Sequence, residues 1–113
     1  MSLLQVCKLI DVPVPGALAV VVEGIPVAVV RDSDGGVHAL RDVCSHADVA
    51  LSEGEVDGCT LECWLHGSRF DVRTGEPSGP PATRPVPVYL ATVEGEGDDA
   101  VVLVDVTVNA AAR

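Results

Sequence analysis

The chain has 113 residues, 48% of them hydrophobic and 3% aromatic, so it can form one domain with an aliphatic core and leaves no room for a second. Seven Lys and Arg stand against 17 Asp and Glu, and the net charge of -10 argues against nucleic acid and anionic lipid as partners, because both require a basic protein surface. We expect a partner of positive charge instead.

The first 20 residues do not resemble a secretory signal, because they contain one Lys and one Asp and because prolines interrupt their apolar stretch. The sequence also contains no uninterrupted run of about 18 apolar residues, the length that a membrane span needs. We therefore expect no membrane association and a cytoplasmic location. In that compartment, four cysteines indicate metal or redox chemistry rather than a disulfide framework.

Short apolar stretches alternate with turn residues from one end of the chain to the other, and none of them keeps a helical period. The 22 valines favour strands, since β-branched side chains pack well on a pleated surface. We predict an all-β fold, a small antiparallel sandwich or barrel. The predicted strands cover residues 4–12, 17–23, 25–31, 37–41, 60–63, 68–72, 86–93 and 100–106.

Two segments interrupt this alternation. Residues 43–58 form a long polar insertion that contains one Cys and one His, and loops of that length in small domains are usually functional or disordered. Residues 77–81 read Pro-Ser-Gly-Pro-Pro, a stiff segment because proline fixes its backbone angle φ. We expect the second segment to form a lid or a wall over a site.

Two short motifs each pair a cysteine with a histidine, Cys44 with His46 and Cys63 with His66, and 16 residues separate the two pairs. Residues i and i+2 of an extended loop point to the same side, and a turn brings residues i and i+3 together, so each pair can face one centre. A zinc finger usually takes two Cys from one segment and two His from another. One mixed pair on each loop suits a two-iron centre instead.

Two alternatives stay open at this point. The same four side chains could bind a structural zinc, and Cys63 with His66 could form a catalytic dyad. The other two cysteines, Cys7 and Cys59, lie in or beside predicted strands and are expected to be small buried hydrophobic residues. His38 lies within a predicted strand and is expected to be a surface or hydrogen-bonded structural residue.

The paired motifs resemble the signature of Rieske iron-sulfur proteins, in which two His replace two Cys on one iron of a 2Fe-2S cluster. The resemblance covers most of the chain, and the pattern is most similar to the small soluble ferredoxins of bacterial ring-hydroxylating dioxygenases. The residues that carry it are Cys44, His46, Cys63, His66 and Gly67, the strand at 68–75, and the proline loop of Gly79, Pro80 and Pro81.

The resemblance implies one Rieske domain over residues 1–113, a sandwich or barrel with a cluster-binding part at about 42–82 made of two ligand loops and a proline loop. It also implies that the protein is a one-electron carrier and not an enzyme. The single 2Fe-2S cluster would have four ligands, namely Cys44, His46, Cys63 and His66.

The same resemblance implies a monomer that takes electrons from a flavin-dependent ferredoxin reductase and passes them to a terminal oxygenase. A second hypothesis is a ferredoxin that supports iron-sulfur cluster assembly, and the sequence does not separate it from the first. A third is a small Rieske-like subunit of a reductase such as nitrite reductase, although those subunits commonly lack the ligands present here.

Residues beside the motifs bear on the reduction potential. Ser68 occupies the place where high-potential members have a serine that donates a hydrogen bond to a bridging sulfide, and Phe70 stands where those members have a tyrosine. With one of the two hydroxyl donors absent, we expect a potential in the lower part of the Rieske range.

Gly67 and Pro80 are expected close to the cluster, and Trp64 is expected to shield it, to contact a partner or simply to pack.

Overall fold

The computed structural model describes residues 3–44, 49–64, 67–79 and 84–109. Within these ranges the chain forms nine β-strands and three short 3-10 helices, and no α-helix. The strands are β1 Leu4–Lys8, β2 Gly16–Val22, β3 Ile25–Arg31, β4 Val37–Arg41, β5 Val56–Asp57, β6 Thr60–Glu62, β7 Arg69–Asp71, β8 Val88–Glu94 and β9 Val101–Asn109. The 3-10 helices are η1 Leu9–Asp11, η2 Leu51–Glu53 and η3 Gly97–Asp99.

The strands form two antiparallel sheets of different size. Six strands form the larger sheet in the order β1-β9-β8-β4-β3-β2, and its edge strands β1 and β2 also contact each other, so this sheet curls into a near-barrel. The smaller sheet has the order β5-β6-β7 and is inserted between β4 and β8 in the chain. The all-β antiparallel prediction is confirmed.

Strand β3 separates two hydrophobic cores, because successive side chains of a strand point to opposite faces of its sheet. Val27 and Val29 pack in a core inside the near-barrel, with Val102 and Val104 of β9. The alternate residues of β3, including Val30, pack in a second core that lies against the small sheet. The central residues of β3 are therefore fully buried on both faces, and the small sheet shares a core with the large one.

The predicted first and last residues of β3 and β4 are those found in the structure, because well-defined turns end the neighbouring strands. Glu23 and Gly24 both adopt positive φ, 51° and 81°, as the two central residues of a tight hairpin turn with that twist require. The first strand is shorter than predicted, because the chain turns into η1, where Asp11 accepts a hydrogen bond from the Lys8 backbone N–H.

Two further differences lie near the small sheet. Strand β5, only two residues long, is not among the predicted strands because so short a segment has no readable alternation. Strand β8 begins at Val88 and not at residue 86, since Pro87 has no N–H to donate to a ladder. Within the described ranges, no helix is long and apolar enough to cross a membrane.

Candidate metal centre

The first cysteine of the paired motifs follows β4. Cys44 is 3% exposed, and its backbone N–H donates to the Val49 carbonyl at 3.0 Å, which closes a short loop at the start of the insertion. This hydrogen bond holds the two ends of the segment 45–48 together. His46 belongs to that segment and lies outside the described residues.

The second cysteine directly follows β6 and is fully buried. The Cys63 N–H donates to the Ser68 carbonyl at 2.6 Å, and the Gly67 N–H donates to the Cys63 carbonyl at 2.9 Å. Gly67 has φ of 77°, a left-handed conformation that glycine adopts without steric cost, so it closes the tight connection between β6 and β7. His66 is within this connection and lies outside the described residues.

Cys44 and Cys63 belong to the same hydrophobic core, so the structure brings the two predicted thiol ligands to one region between the sheets. Neither forms a disulfide. Thiolates are the ligands that iron-sulfur clusters prefer, and two reduced thiols from two loops fit such a cluster. No group of three or more His, Cys, Asp or Glu side chains suited to a metal occurs in the described ranges, so these two cysteines are the part of the predicted ligand set that can be placed.

Two residues that follow the second motif are also buried beside it in the chain. Ser68 is 2% exposed, and Phe70 is fully buried in the core that contains both cysteines. Phe70 forms an isolated antiparallel β-bridge with Pro77 on the neighbouring segment. The Ser78 N–H donates to the Arg69 carbonyl at 2.8 Å. The start of the predicted proline lid is thus fixed along β7, whereas Pro80 and Pro81 lie outside the described residues.

Trp64 is 50% exposed although its neighbour Cys63 is fully buried. The side chain is therefore not part of either core, and half of its surface is open to contact. A half-exposed indole ring next to a buried cysteine that is a predicted ligand offers a large apolar contact surface with one N–H donor. This arrangement fits contact with another molecule.

The remaining His and Cys residues of the chain are not part of the paired motifs. His38 Nε2 is 2.8 Å from Asp32 Oδ2, so the prediction of a hydrogen-bonded structural histidine is confirmed. This bond is the largest cause that holds the pKa of Asp32 below its ordinary value; burial opposes it, and backbone N–H donors of Gly36 and Asp34 support it.

Cys7 and Cys59 are half-buried and not fully buried as expected, because each lies at the margin of a core.

Sequence reasoning missed two residues at the base of the first loop. Asp42, 5% exposed, accepts hydrogen bonds from Ser52, ten residues further along the chain. The only sequence signal is an Asp placed directly after a strand and two residues before a candidate ligand. Such a position often carries a side chain that fixes a loop, but nothing in the sequence names its partner.

Comparisons with known proteins identify the family of this chain. The family model of the Rieske 2Fe-2S domain matches residues 2–90. The ferredoxin component of biphenyl 2,3-dioxygenase from Rhodococcus jostii (strain RHA1) is 42% identical over 105 residues, 93% of this chain and 94% of that protein. Among solved structures, the ferredoxin of carbazole 1,9a-dioxygenase from Nocardioides aromaticivorans IC177 is 35% identical with a TM-score of 0.80, covering 91% of this chain and 97% of that one.

A second solved structure is a complex of reduced oxygenase and oxidised ferredoxin in carbazole 1,9a-dioxygenase, in which the matching chain is 37% identical with a TM-score of 0.76. The match covers 90% of this chain and 91% of that one. The predicted resemblance to dioxygenase ferredoxins is confirmed by these relatives, and the structural zinc alternative is set aside. The chain belongs to the Rieske 2Fe-2S family, and its cofactor is one Rieske-type 2Fe-2S cluster.

Proposed function

We propose that this protein is the ferredoxin component of a ring-hydroxylating oxygenase system, a one-electron carrier between a flavin-dependent reductase and a terminal oxygenase. The observation that carries the proposal is the burial of Cys44 and Cys63 in one core, at the ends of two loops of a chain that belongs to the Rieske family. The relatives named above are ferredoxins of dioxygenases, and they match over almost their whole length.

In this proposal Cys44, His46, Cys63 and His66 bind the cluster, and the domain extends over residues 1–113 with its cluster-binding part at about 42–82. The cluster supplies a site that takes up and releases one electron. The two thiolates are anionic, and the two imidazoles are neutral. The ligand set is thus electrically asymmetric, which favours the added electron on the side of the imidazoles.

The chain's own contribution is to hold and shield these ligands. The Cys63 N–H···O Ser68 bond and the Cys44 N–H···O Val49 bond fix the backbone at both cysteines. Burial of the two thiol positions excludes water and oxidants from the sulfur atoms. A carrier needs such protection, because its cluster must survive many reductions and oxidations.

Partner choice follows from surface chemistry. A net charge of -10 favours a reductase and an oxygenase that each present a basic docking surface, since opposite fields accelerate encounter. Trp64 supplies an exposed aromatic side chain between the two proposed ligands of the second motif, which suits a short apolar contact at the point of electron transfer. We further propose that the protein is cytoplasmic and monomeric.

The test is the visible and electron paramagnetic resonance (EPR) spectrum of the purified protein, followed by stopped-flow electron transfer to an oxygenase from the same genome. The proposal requires the absorption of an oxidised 2Fe-2S cluster, a reduced signal with the low average g value of His-ligated clusters, and single-electron delivery to the oxygenase. A colourless protein with one zinc per chain contradicts it.

A further inference from the structure

A buried carboxylate lies at the base of the first cysteine loop. Asp42 follows β4 and precedes Cys44 by two residues, it is 5% exposed, and its backbone N–H donates to the Pro26 carbonyl at 2.9 Å. Its two carboxylate oxygens take both donors of one residue: Oδ1 accepts the Ser52 backbone N–H at 2.6 Å, and Oδ2 accepts the Ser52 hydroxyl at 2.5 Å. Both distances are short, as charge-assisted hydrogen bonds are.

Ser52 connects this carboxylate to the core around the cysteines. It is the central residue of η2, and its neighbour Leu51 is fully buried in the core that contains Cys44 and Cys63. The Gly54 N–H donates to the Leu51 carbonyl at 2.9 Å and closes the helix. The two bonds to Asp42 therefore fix the position of a short helix that fills the space beside both cysteines.

The same helix is fixed to the second loop through backbone contacts. A Cβ atom on Gly54 would lie 1.7 Å from the Glu62 carbonyl oxygen, so the two backbones touch directly at this point. The Glu62 N–H donates to the Glu55 carbonyl at 2.9 Å. Because Glu62 immediately precedes Cys63, a continuous path of contacts leads from the residue two before Cys44 to the residue next to Cys63.

We propose that Asp42 and Ser52 are positioning residues that hold the two cysteine loops at a fixed separation and so set how tightly the cluster is retained. This inference rests on the proposed ligand role of Cys44 and Cys63. Neither residue is a ligand in this account. They act through η2 and Gly54, and their loss loosens one loop against the other while both cores keep their apolar residues.

Substitutions separate this role from simple support of the fold. Ser52→Ala removes one of the two bonds and keeps the backbone N–H, whereas Asp42→Ala removes both acceptors. Asp42→Asn still offers one oxygen to the Ser52 N–H and a side-chain N–H₂ to the hydroxyl, so it should restore the contact. Ser52→Thr keeps the hydroxyl and serves as a second rescue.

The measurement is the rate at which each anaerobically purified holoprotein loses its visible absorption to an iron chelator, together with the EPR line width of the reduced cluster. One lost hydrogen bond should accelerate release about 2- to 10-fold in Ser52→Ala, and the loss in Asp42→Ala should be larger. Broader EPR lines should accompany faster release, because loops that are no longer fixed give a spread of cluster geometries. Asp42→Asn and Ser52→Thr should stay close to the wild type in both readouts.

The chain offers a matched control in the near-barrel. Thr107 donates its backbone N–H at 2.9 Å and its hydroxyl at 2.5 Å to Asp105 Oδ1 on β9, away from the cysteine loops. As with Ser52, one residue gives both of its donors to one carboxylate, but here the two residues are only two positions apart. Thr107→Val should lower the unfolding temperature and leave cluster release unchanged. If Thr107→Val accelerates release as much as Ser52→Ala does, or if Ser52→Ala and Asp42→Ala release at the wild-type rate, the positioning role is wrong.

The outcomes also separate this inference from the function on which it rests. A wild-type protein without a His-ligated 2Fe-2S spectrum contradicts the proposed function itself. A wild type with that spectrum, together with Asp42→Ala and Ser52→Ala variants that behave like it, contradicts only the role of Asp42 and Ser52. If Asp42→Ala does not fold, Ser52→Ala with its Ser52→Thr rescue still decides the question.

Discussion

The Cys63 backbone N–H and the Ser68 carbonyl are joined by a 2.6 Å hydrogen bond that spans the second ligand loop. This bond belongs to the backbone of Ser68, so the residue fixes the loop whatever its side chain does. The hydroxyl is a separate feature, and Ser68 is only 2% exposed. A substitution of the side chain alone therefore tests the hydroxyl without removing the loop closure.

Ser68→Ala should lower the reduction potential by some tens of millivolts. A hydroxyl that donates to a cluster sulfur stabilises the reduced, more negative state, so its removal makes reduction less favourable. Phe70, which has no hydroxyl, offers no second donor. Protein-film voltammetry measures the change. Ser78→Ala, on an exposed serine ten residues along, is the control, and a midpoint equal to wild type in Ser68→Ala would mean that the hydroxyl does not reach the sulfur.

Replacement of the proposed thiolate ligands should abolish the cluster, whereas replacement of the other cysteines should not. Cys44→Ala or Cys63→Ala removes a proposed ligand, and the alanine methyl group has no donor atom to replace the thiolate, so the chromophore should be lost or severely depleted. Cys7→Ser and Cys59→Ser lie at the margins of the two cores and should keep full iron content. Iron and sulfide analysis of the four proteins gives the result. Full iron content in Cys44→Ala would assign the ligand role to another residue.

The sequence predicts the strand framework well where turns are strong, as at Glu23 and Gly24, because those residues permit few other conformations. It also predicts that Cys44 and Cys63 come together in one region, because each belongs to a Cys-His pair of the kind that a cluster site uses. It does not predict the contact of Asp42 with Ser52, because two polar residues ten positions apart carry no signal until the fold brings them together. The exposure of Trp64 is likewise decided by the packing around it and not by its own hydrophobicity.

Trp64→Ala should weaken docking without changing the cluster. Aromatic side chains are common anchors of interfaces, and a loss of about 1 to 2 kcal/mol would raise the apparent KM for the partner about 5- to 30-fold. The EPR spectrum and the potential should stay those of wild type. An unchanged KM in Trp64→Ala would mean that the partner binds elsewhere on the surface. Val21→Ala, on a side chain 74% exposed on β2, is the matched apolar control.

Electron-transfer rates should fall with added salt, because screening reduces the attraction between an acidic ferredoxin and a basic partner.

The hydrogen bond between His38 and Asp32 should contribute to the free energy of unfolding by an amount that depends on pH. Because the pKa of Asp32 is lowered in the folded protein, its carboxylate stabilises the fold at pH values above its ordinary pKa of about 3.9, and that contribution is lost as the pH falls through the lowered value. His38→Val removes the bond and should reduce stability at neutral pH. The difference from wild type should shrink below about pH 4.

Urea unfolding of the holoprotein across this range, followed by circular dichroism, measures the difference between His38→Val and wild type. His38→Gln is the control, because its side-chain N–H can still donate to Asp32 and should recover part of the stability. A difference that stays the same as the pH falls would mean that the packing of the ring, and not its bond to Asp32, carries the effect, because packing does not depend on the ionisation of Asp32.

Gly54→Ala should be among the most damaging single changes in the chain. The added Cβ would lie 1.7 Å from the Glu62 carbonyl oxygen and 2.9 Å from its carbon, and both atoms are backbone that cannot rotate away. The η2 helix and β6 must then separate, at a cost of about 1 to 3 kcal/mol or more, as for other overpacked sites. Since this contact joins the two cysteine loops, cluster content should fall together with the unfolding free energy.

Gly58→Ala provides the comparison, because a Cβ there meets nothing within 4 Å although φ is +60°. Its cost is the left-handed backbone alone, about 1 kcal/mol, and it should keep a full cluster. Iron content and urea midpoints of the two variants, measured side by side, separate close backbone approach from backbone conformation. Equal loss of iron in both would show that the contact between Gly54 and Glu62 does not hold the loops together.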